Sequence, residues 1–181
     1  MPASPLLVRP STPADLDAIR DIYAHAVTQG TGTFELEAPD AAEMARRRGD
    51  VLAKGLAWLV AEQQGRVLGY AYAHPFRPRP AYRFTVEDSI YLHADAQGRG
   101  IGRVLLAELL ARCQAAGARQ MLAVIGDSTN HGSIGVHRAL GFEDCGRLQA
   151  VGWKFGRWLD VLLMQRALGR GAIEPPPGNA A

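Results

Sequence analysis

The chain is poor in cysteine, has no excess of charge of either sign and contains no long apolar run. It has two cysteines among 181 residues, too few for a disulfide framework or a metal-binding knuckle. Its 20 basic and 18 acidic residues leave a net charge of +2, which gives no reason to expect binding to nucleic acid. No segment approaches the roughly 18 apolar residues of a membrane-spanning helix, so none is expected.

The N-terminal residues MPASPLLVRP also lack the charged lead and the apolar segment of a signal peptide. We therefore expect a cytoplasmic protein without a membrane partner, in which Cys113 and Cys145 are buried or incidental thiols. The histidines His74, His93 and His131 show no metal-ligand spacing, so we expect no metal site.

The hydrophobic pattern predicts one domain over residues 1–168, of α/β or α+β class, followed by a disordered tail over residues 169–181. Helices are predicted in STPADLDAIRDIYAHAV, AAEMARRRGDVLAKG, VLLAELLARCQAAG and NHGSIGVHRAL, with caps at Thr12, Asp40 and Asn130. Strands are predicted in LLVRP, AWLVAEQ, RVLGYAYA, FTVEDSIYLHA and RQMLAVI, and a closing pair in LQAVGWKFGRWLDVLLMQRAL. Because a hairpin and a meander come first and helices alternate later, a mixed sheet covered by helices is expected.

A glycine-rich turn, HADAQGRGIGR over residues 93–103, opens directly into the third predicted helix. Free backbone amides at a helix N-terminus, approached through glycines, are suited to a phosphate. A Walker loop would need lysine and a dinucleotide fingerprint would need glycine where Arg103 stands. The remaining pattern is Gln97, Gly100 and Gly102 between a strand and a helix, and Gln97 and Arg99 add polar groups that a plain turn without a ligand does not require.

This turn resembles the pyrophosphate loop of the GNAT acetyltransferase superfamily, and the following strand, Asn130 and the pair Gly141-Phe142 keep that superfamily's order. More narrowly, TGTFELEAP, HPFRPRPAYRFTVEDSIYLHADAQGRGIG, HRALGF and VGWKFGRWLDV resemble the phosphinothricin and methionine-sulfoximine N-acetyltransferase family, over roughly residues 5–168. The resemblance implies a mostly antiparallel sheet with a splayed strand pair, and a homodimer. It also implies acetyl transfer from acetyl-CoA to the α-amine of a small amino acid or glutamate-like analogue, such as phosphinothricin, methionine sulfoximine or methionine sulfone, in a detoxification-type reaction.

The same resemblance assigns the cofactor to the end of the FTVEDSIYL strand and to the glycine turn. Backbone groups of Ile90 and Leu92 would bond the pantetheine arm and polarise the thioester carbonyl. Asn130 would contact the cofactor arm or only cap its helix. The predicted cofactor residues are Ile90, Leu92, Gln97, Gly98, Arg99, Gly100, Ile101, Gly102, Arg103 and Asn130.

Two residues are assigned to proton transfer, because an amine must be neutral to attack a thioester. Glu87 matches the glutamate that the family is thought to use as a base, although a lone glutamate in a strand is more simply a solvent-facing charge. Asp88 should point to the opposite face of the strand. His137 stands where many GNAT enzymes carry a tyrosine acid, and would protonate the thiolate, assist Glu87 as a base partner, or have no role.

The loop HPFRPRPAYR is the predicted substrate-recognition element, because guanidinium groups stiffened by prolines suit bidentate capture of a carboxylate. TGTF resembles the family's lid over the substrate side chain. The predicted substrate residues are Thr33, Phe34, Arg77, Arg79 and Tyr82. The aromatic residues of KFGRWLDV and its flank, Trp153, Phe155 and Trp158, should build core or a subunit interface.

Two other functions remain open. A GNAT enzyme could act on protein N-termini or on polyamines, but a polyamine site would need a cluster of carboxylates where this chain has arginines. Alternatively the fold could bind CoA as a sensor without turnover, because a fold does not determine a function.

Overall fold

The computed structural model describes residues 5–176, which form seven strands, four α-helices and three short 3-10 turns. The helices are α1 (Leu16–Gln29), α2 (Ala41–Ala53), α3 (Ile101–Ala115) and α4 (His131–Ala139). The strands are β1 (Leu7–Pro10), β2 (Trp58–Gln63), β3 (Arg66–Pro75), β4 (Thr85–Leu92), β5 (Gln120–Gly126), β6 (Glu143–Lys154) and β7 (Arg157–Ala167). Within residues 5–176 every helix is too short or too polar to cross a membrane.

All seven strands form one sheet in the order β1-β2-β3-β4-β5-β7-β6. Every neighbouring pair is antiparallel except β4 and β5, which are parallel. The parallel ladder joins Thr85 to Gln120 and ends where Asp88 faces Ala123, although both strands continue beyond that point. The predicted mixed sheet with a splayed strand pair is therefore confirmed.

The predicted helix caps are present. The side chain of Asp40 accepts a hydrogen bond from the backbone N–H of Glu43 at 2.8 Å, and Asn130 caps α4. Caps of this kind stabilise a helix by about 1 kcal/mol. Thr12 forms a capping box with Asp15, but it begins a 3-10 turn over Pro13–Asp15, so α1 itself begins only at Leu16.

Apolar side chains pack on both faces of the sheet. The core on the α3/α4 face includes Leu105, Leu109 and Met121. The core on the α1/α2 face includes Ile19, Met44, Trp58 and Tyr70. The sheet therefore separates two environments, and the side chains of any central strand alternate between them.

The C-terminal part differs from the prediction in one place. The closing strand pair begins at Glu143, earlier than the segment LQAVG predicts. Asp144 and Gly146 are residue types that are rare in strands, so no strand is predicted there from the sequence, but both pair with β7 in the structure. Residues 169–172 form hydrogen-bonded turns, such as Gly171 N to Leu168 O at 2.9 Å. The end of the predicted disordered tail, residues 177–181, lies outside the described residues, so that prediction and the domain boundary at residue 168 stay predictions.

Candidate active site

Strand β4 presents different side chains to the two faces of the sheet. Tyr91 packs edge-on against Tyr23 of α1, with ring centroids 4.9 Å apart, so the odd-numbered positions face α1 and α2. Ile90 and Leu92 pack against the core on the α3/α4 face. Glu87 therefore shares the α1/α2 face with Tyr91, as period-two alternation requires.

The backbone of β4 has free hydrogen-bonding groups where it diverges from β5. The carbonyl of Phe84 accepts hydrogen bonds from the N–H groups of Arg119 and Gln120, whereas the carbonyl of Thr85 accepts one from Phe76 on the β3 side. Because these directions alternate, and the β3 register is unbroken through Leu92, the even-numbered residues direct their N–H and C=O groups toward β5.

Beyond Asp88 no ladder partner on β5 meets those groups within the described pairing. The N–H and C=O groups of Ile90 and Leu92 therefore point into the gap between the splayed strands. This is the placement that the resemblance predicts for residues contacting the arm of acetyl-CoA.

The glycine turn lies at the start of α3 and packs against the same part of β4. Gly98 and Gly100 have φ angles of 71° and 77°, in the left-handed region that favours glycine. A Cβ added at Gly102 would lie 3.4 Å from the Leu92 side chain, so this turn of the helix is close to the strand. The N–H groups of Ile101 and Gly102 have no acceptor one turn earlier in the helix, whereas that of Arg103 donates to the carbonyl of Gly100 at 3.1 Å. The helix dipole places partial positive charge beside this helix start.

The other predicted cofactor residues surround this helix start. Gln97 ends the 3-10 turn Ala94–Ala96 and is exposed. Arg99 donates to Gln63 Oε1 at 2.7 Å, and Arg103 is exposed in the first turn of α3. Ile101 is buried and anchors the turn in the core.

Asn130 lies at the start of α4, and the two ends of its side-chain amide face different neighbours. Its Oδ1 accepts from Ser133 N at 3.2 Å, which is the capping role. Its Nδ2 lies 3.5 Å from where a Cβ at Gly32 would stand. The cap therefore uses the carbonyl end of the amide, and the amide nitrogen is directed to the α1–α2 loop.

Glu87 is a half-buried carboxylate with basic groups around it. Its Oε1 lies 3.8 Å from Nε2 of His74, the residue directly opposite on β3. Burial raises the pKa of Glu87, and positive charge on His74 and Arg77 opposes that rise. The site thus holds a carboxylate whose proton affinity exceeds that of an ordinary glutamate.

His137 lies away from Glu87, which gives no support to the expected base partnership between them. Its Nε2 lies 3.0 Å from Asp88 Oδ2, and its Nδ1 lies 2.7 Å from the carbonyl of Ser133. Only 2% of the His137 side chain and 1% of the Asp88 side chain are exposed. The physical reason is strand alternation: Asp88 faces α4 on the side of the sheet opposite to Glu87.

The imidazole of His137 is held in a defined proton state by these contacts. A carbonyl can only accept, so Nδ1 carries a proton, and a second proton lies between Nε2 and Asp88. Burial lowers the pKa of His137, but the hydrogen bond and the charge of Asp88 outweigh it and leave the pKa raised. The second oxygen of Asp88, Oδ1, has no hydrogen-bond partner among the described residues.

The predicted substrate loop lies on the surface beside Glu87. The guanidinium of Arg77 lies over the ring of Phe76, 4.9 Å from its centroid, and Tyr82 meets the same ring edge-on at 5.7 Å. Arg79 is exposed at the start of the 3-10 turn Pro80–Tyr82. The effect of Arg77 on the pKa of Glu87 indicates that this arginine is near the carboxylate.

Thr33 and Phe34 lie in the connection between α1 and α2. Thr33 Oγ1 is 2.9 Å from the hydroxyl of Tyr23. The ring of Phe34 lies where a Cβ at Gly152 of β6 would stand, 2.2 Å from that position, and it also approaches Gly126 of β5. The ring of Phe34 can occupy this position because Gly152 and Gly126 have no side chains.

Three further residues contribute to this face and were not predicted from the sequence. Tyr72 and Ser89 are direct cross-strand partners, and Tyr72 stacks on Trp58 with centroids 4.1 Å apart. Alternation along β3 and β4 would have placed both beside Glu87. Lys154 is buried, and its ammonium donates to the carbonyl of Thr33 at 2.8 Å. A charged residue at a buried position has no local sequence signal.

Within residues 5–176 no group of three or more His, Cys, Asp or Glu side chains is arranged to hold a metal ion. The polar groups described above include the carboxylate of Glu87, the buried pair on the opposite face and the free backbone groups of β4.

Known proteins are similar to this chain in both sequence and fold. A model of the acetyltransferase (GNAT) family matches residues 17–142. A phosphinothricin N-acetyltransferase of Alcaligenes faecalis is 54% identical over 162 residues, covering 90% of this chain and 82% of that protein. An L-methionine sulfoximine/L-methionine sulfone acetyltransferase of Pseudomonas aeruginosa is 43% identical over 162 residues, covering 87% and 92%. The crystal structure of a phosphinothricin acetyltransferase from Sinorhizobium meliloti, in complex with acetyl-CoA, superposes with a TM-score of 0.93 at 48% identity, over 96% of this chain and 94% of that one.

The chain therefore belongs to the acetyltransferase (GNAT) family, as its glycine turn and the order of its elements predict, and it is an enzyme of the N-acetyltransferase class. Within that family it is similar to enzymes named for phosphinothricin and for methionine sulfoximine and sulfone.

Proposed function

We propose that this enzyme transfers the acetyl group of acetyl-CoA to the α-amine of a small amino acid or glutamate-like analogue, of the phosphinothricin, methionine sulfoximine or methionine sulfone type. The observation that carries the proposal is the position of Glu87, a half-buried carboxylate of raised pKa, on the same strand as the free backbone groups of Ile90 and Leu92. The activities named for the similar enzymes support the same reaction.

The residues of the cofactor side fit acetyl-CoA. Residues Gly98 to Arg103, at the start of α3, would hold its pyrophosphate, and the unpaired edge of β4 would bond its amide-containing arm. Acetyl-CoA supplies the acetyl group as an activated thioester. Backbone donors fixed by the sheet can stabilise a developing oxyanion by about 3 kcal/mol each.

Glu87 would take up the proton of the amine, directly or through a water molecule. A base is most effective when its pKa approaches the working pH, and burial shifts Glu87 in that direction. The proposed second catalytic residue, His137, lies on the other face with Asp88 and has no contact with Glu87. Protonation of the thiolate therefore remains its only proposed catalytic role.

The acceptor would lie on the α1/α2 face. Arg77 and Arg79 supply positive charge for an α-carboxylate and a second polar group, because guanidinium groups pair bidentately with such anions. Tyr82 would border the same site, and Thr33 and Phe34 would cover the acceptor side chain.

We also propose that the protein is a cytoplasmic homodimer that binds neither nucleic acid nor membrane. Its two cysteines are both free thiols, which suits a reducing compartment. Strand β6 is a long edge strand with exposed Trp153, and Trp158 on β7 is exposed beside it. A second copy of this chain would cover that surface.

The test is a thiol-release assay with acetyl-CoA and a panel of acceptors. The panel contains the three analogues, ordinary amino acids, the amide of the best acid, a peptide with a free N-terminus and a polyamine. We expect release with acids, and poor turnover of the amide because the carboxylate orients the amine. Equal turnover of acid and amide would exclude the arginine loop as the recognition element. Binding of acetyl-CoA without release for any acceptor would instead favour a sensor.

A further inference from the structure

Lys154, at the end of β6, is a buried cation with no part in the chemistry described above. Only 3% of its surface is exposed. Its ammonium donates to the carbonyl of Thr33 and lies 5.1 Å from the ring centroid of Phe155. Burial lowers the pKa of this lysine, and the negative charge of Glu35 opposes that change. Burying an ammonium group is unfavourable unless it is hydrogen-bonded or paired, so the hydrogen bond to Thr33 is needed to keep Lys154 buried.

The contact is with an irregular segment on the acceptor side. Residues 31–35 belong to no helix or strand. Thr33 bonds to Tyr23 of α1 through its side chain, and Glu35 pairs with Arg47 of α2 at 2.7 Å. The carbonyl of Thr33 faces the other way and is bound by the hairpin of β6 and β7 through Lys154.

The same segment adjoins the face that carries Glu87. Tyr23 packs against Tyr91, which shares that face of β4. Tyr72 lies on this face as well, with its ring centroid 6.2 Å from that of His74, whose Nε2 is 3.8 Å from Glu87 Oε1. The segment that Lys154 holds is therefore next to the proposed acceptor site, and its conformation determines where Phe34 stands.

We propose that Lys154 is a positioning residue of the acceptor site: through the Thr33 carbonyl it holds residues 31–35 in the conformation that binds the amino-acid substrate. This inference rests on the proposed function for the identity of the acceptor. A hydrogen bond from an ammonium is stronger than a neutral one and is well suited to fix a segment that has no secondary structure of its own.

Hydrogen exchange followed by mass spectrometry tests the contact in the free protein, without any substrate. In Lys154→Met the amides of residues 31–36 should exchange roughly tenfold faster than in the wild type, because the charged hydrogen bond is lost while the side-chain volume is kept. Lys154→Arg keeps the cation and should restore much of the protection. The matched control is Arg166→Met, which removes another cation of the same hairpin that donates to a backbone carbonyl, that of Leu140.

Steady-state kinetics give the second readout. The KM for the best acceptor should rise roughly tenfold in Lys154→Met, with the KM for acetyl-CoA unchanged and kcat affected less. Unchanged exchange in residues 31–36 overturns the proposal, and so does faster exchange spread evenly over the chain, including α3. If the wild type turns over no acceptor, the proposed function fails, while the exchange result still decides whether Lys154 holds the segment.

Discussion

Glu87 and Asp88 are consecutive carboxylates with different chemistry. Glu87 is half-buried beside His74 and retains access to the proposed acceptor side. Asp88 is buried on the opposite face, and one of its oxygens is hydrogen-bonded to His137. A base must reach the proton that it removes, so only Glu87 of the two is placed for that task.

Replacing Glu87 with glutamine should lower turnover by about 10²- to 10⁴-fold, the range typical of general acid–base catalysis. Affinity for acetyl-CoA should stay the same, because the cofactor is assigned to the backbone edge of β4 and to the start of α3, not to the side chain of Glu87. Burial raises the pKa of Glu87. On acidification, kcat/KM of the wild type should therefore begin to fall at a pH above the ordinary glutamate pKa of about 4.3. Stopped assays across pH measure both effects.

Two variants serve as comparisons for this prediction. Glu108→Gln removes a carboxylate from the exposed surface of α3 and should change neither rate nor pH profile. His137→Ala should retain the acidic limb if Glu87 is the base. Loss of that limb in His137→Ala, with its retention in Glu87→Gln, would transfer the role of base to the histidine.

The pair of Asp88 and His137 should contribute to stability with a defined pH dependence. Asp88→Ala leaves the imidazole buried without its partner and should lower the free energy of unfolding by about 3 to 5 kcal/mol. The folded-state pKa of His137 is raised, so the contribution of the pair is complete below the unfolded pKa of about 6.5 and is lost as the pH rises through the folded pKa. Urea unfolding at about pH 6 and about pH 9 measures this difference.

Asp88→Asn separates charge from shape at the same position. It can still bond to neutral His137, so it should destabilise less than Asp88→Ala, and its stability should vary less between the two pH values. The assignment of a shared proton would be contradicted if the free energy of unfolding of the wild type rose between about pH 6 and about pH 9 and that of Asp88→Asn changed by the same amount.

At the scale of elements, β4 and α3 meet in a way that their sequence partly predicts. Glycines at the start of a helix indicate an anion site, and the strand before it was predicted from alternation. The gap beside Ile90 and Leu92 follows from where the β5 ladder ends, which was expected only from the family resemblance. The partner of His137 lies 49 residues away on β4, and no local pattern connects the two.

Gly100→Val should weaken acetyl-CoA binding by at least about tenfold, because loss of hydrogen bonds to a charged group has that effect. A β-branched residue is strained at a φ of 77°, so the turn would have to move away from the helix start. Isothermal titration with acetyl-CoA measures the loss. Gly117→Val is the matched control, since Gly117 has a φ of 92° after the other end of α3 and equally open surroundings.

Both glycine variants should lose similar stability, and only the first should lose affinity. Equal affinity of Gly100→Val and wild type would remove the glycine turn from the cofactor site. Loss of affinity in both variants would assign the effect to general destabilisation of α3.

For the whole molecule, periodicity, caps and turn residues were sufficient to predict the four helices and the seven strands, including β1 with only four residues. Contacts that depend on tertiary packing were not predictable. Lys154 illustrates this, since its burial depends on the α1–α2 segment lying across β6, far away in sequence. The same hairpin that buries Lys154 inward also exposes Trp153 and Trp158 outward.

That outward surface is the proposed dimer contact. Trp153 and Trp158 are cross-strand partners, 5.2 Å apart between ring centroids, with 56% and 62% of their surfaces exposed. Phe155 at the turn between β6 and β7 is exposed as well. Clustered exposed aromatic residues are uncommon on monomers, and a long uncovered edge strand favours association. A two-fold contact would place the same hairpin of each protomer at the interface.

Trp158→Asp should therefore convert the protein from dimer to monomer. Two-fold symmetry would place the new carboxylate in the interface twice, where burying an unpaired charge is strongly unfavourable. Sedimentation equilibrium at micromolar concentration measures the change in mass. Val104→Asp introduces the same charge at an exposed apolar position on α3 and should leave the mass unchanged. A wild-type monomer, or dissociation of both variants, would show that the aromatic surface of the hairpin is not the contact between protomers.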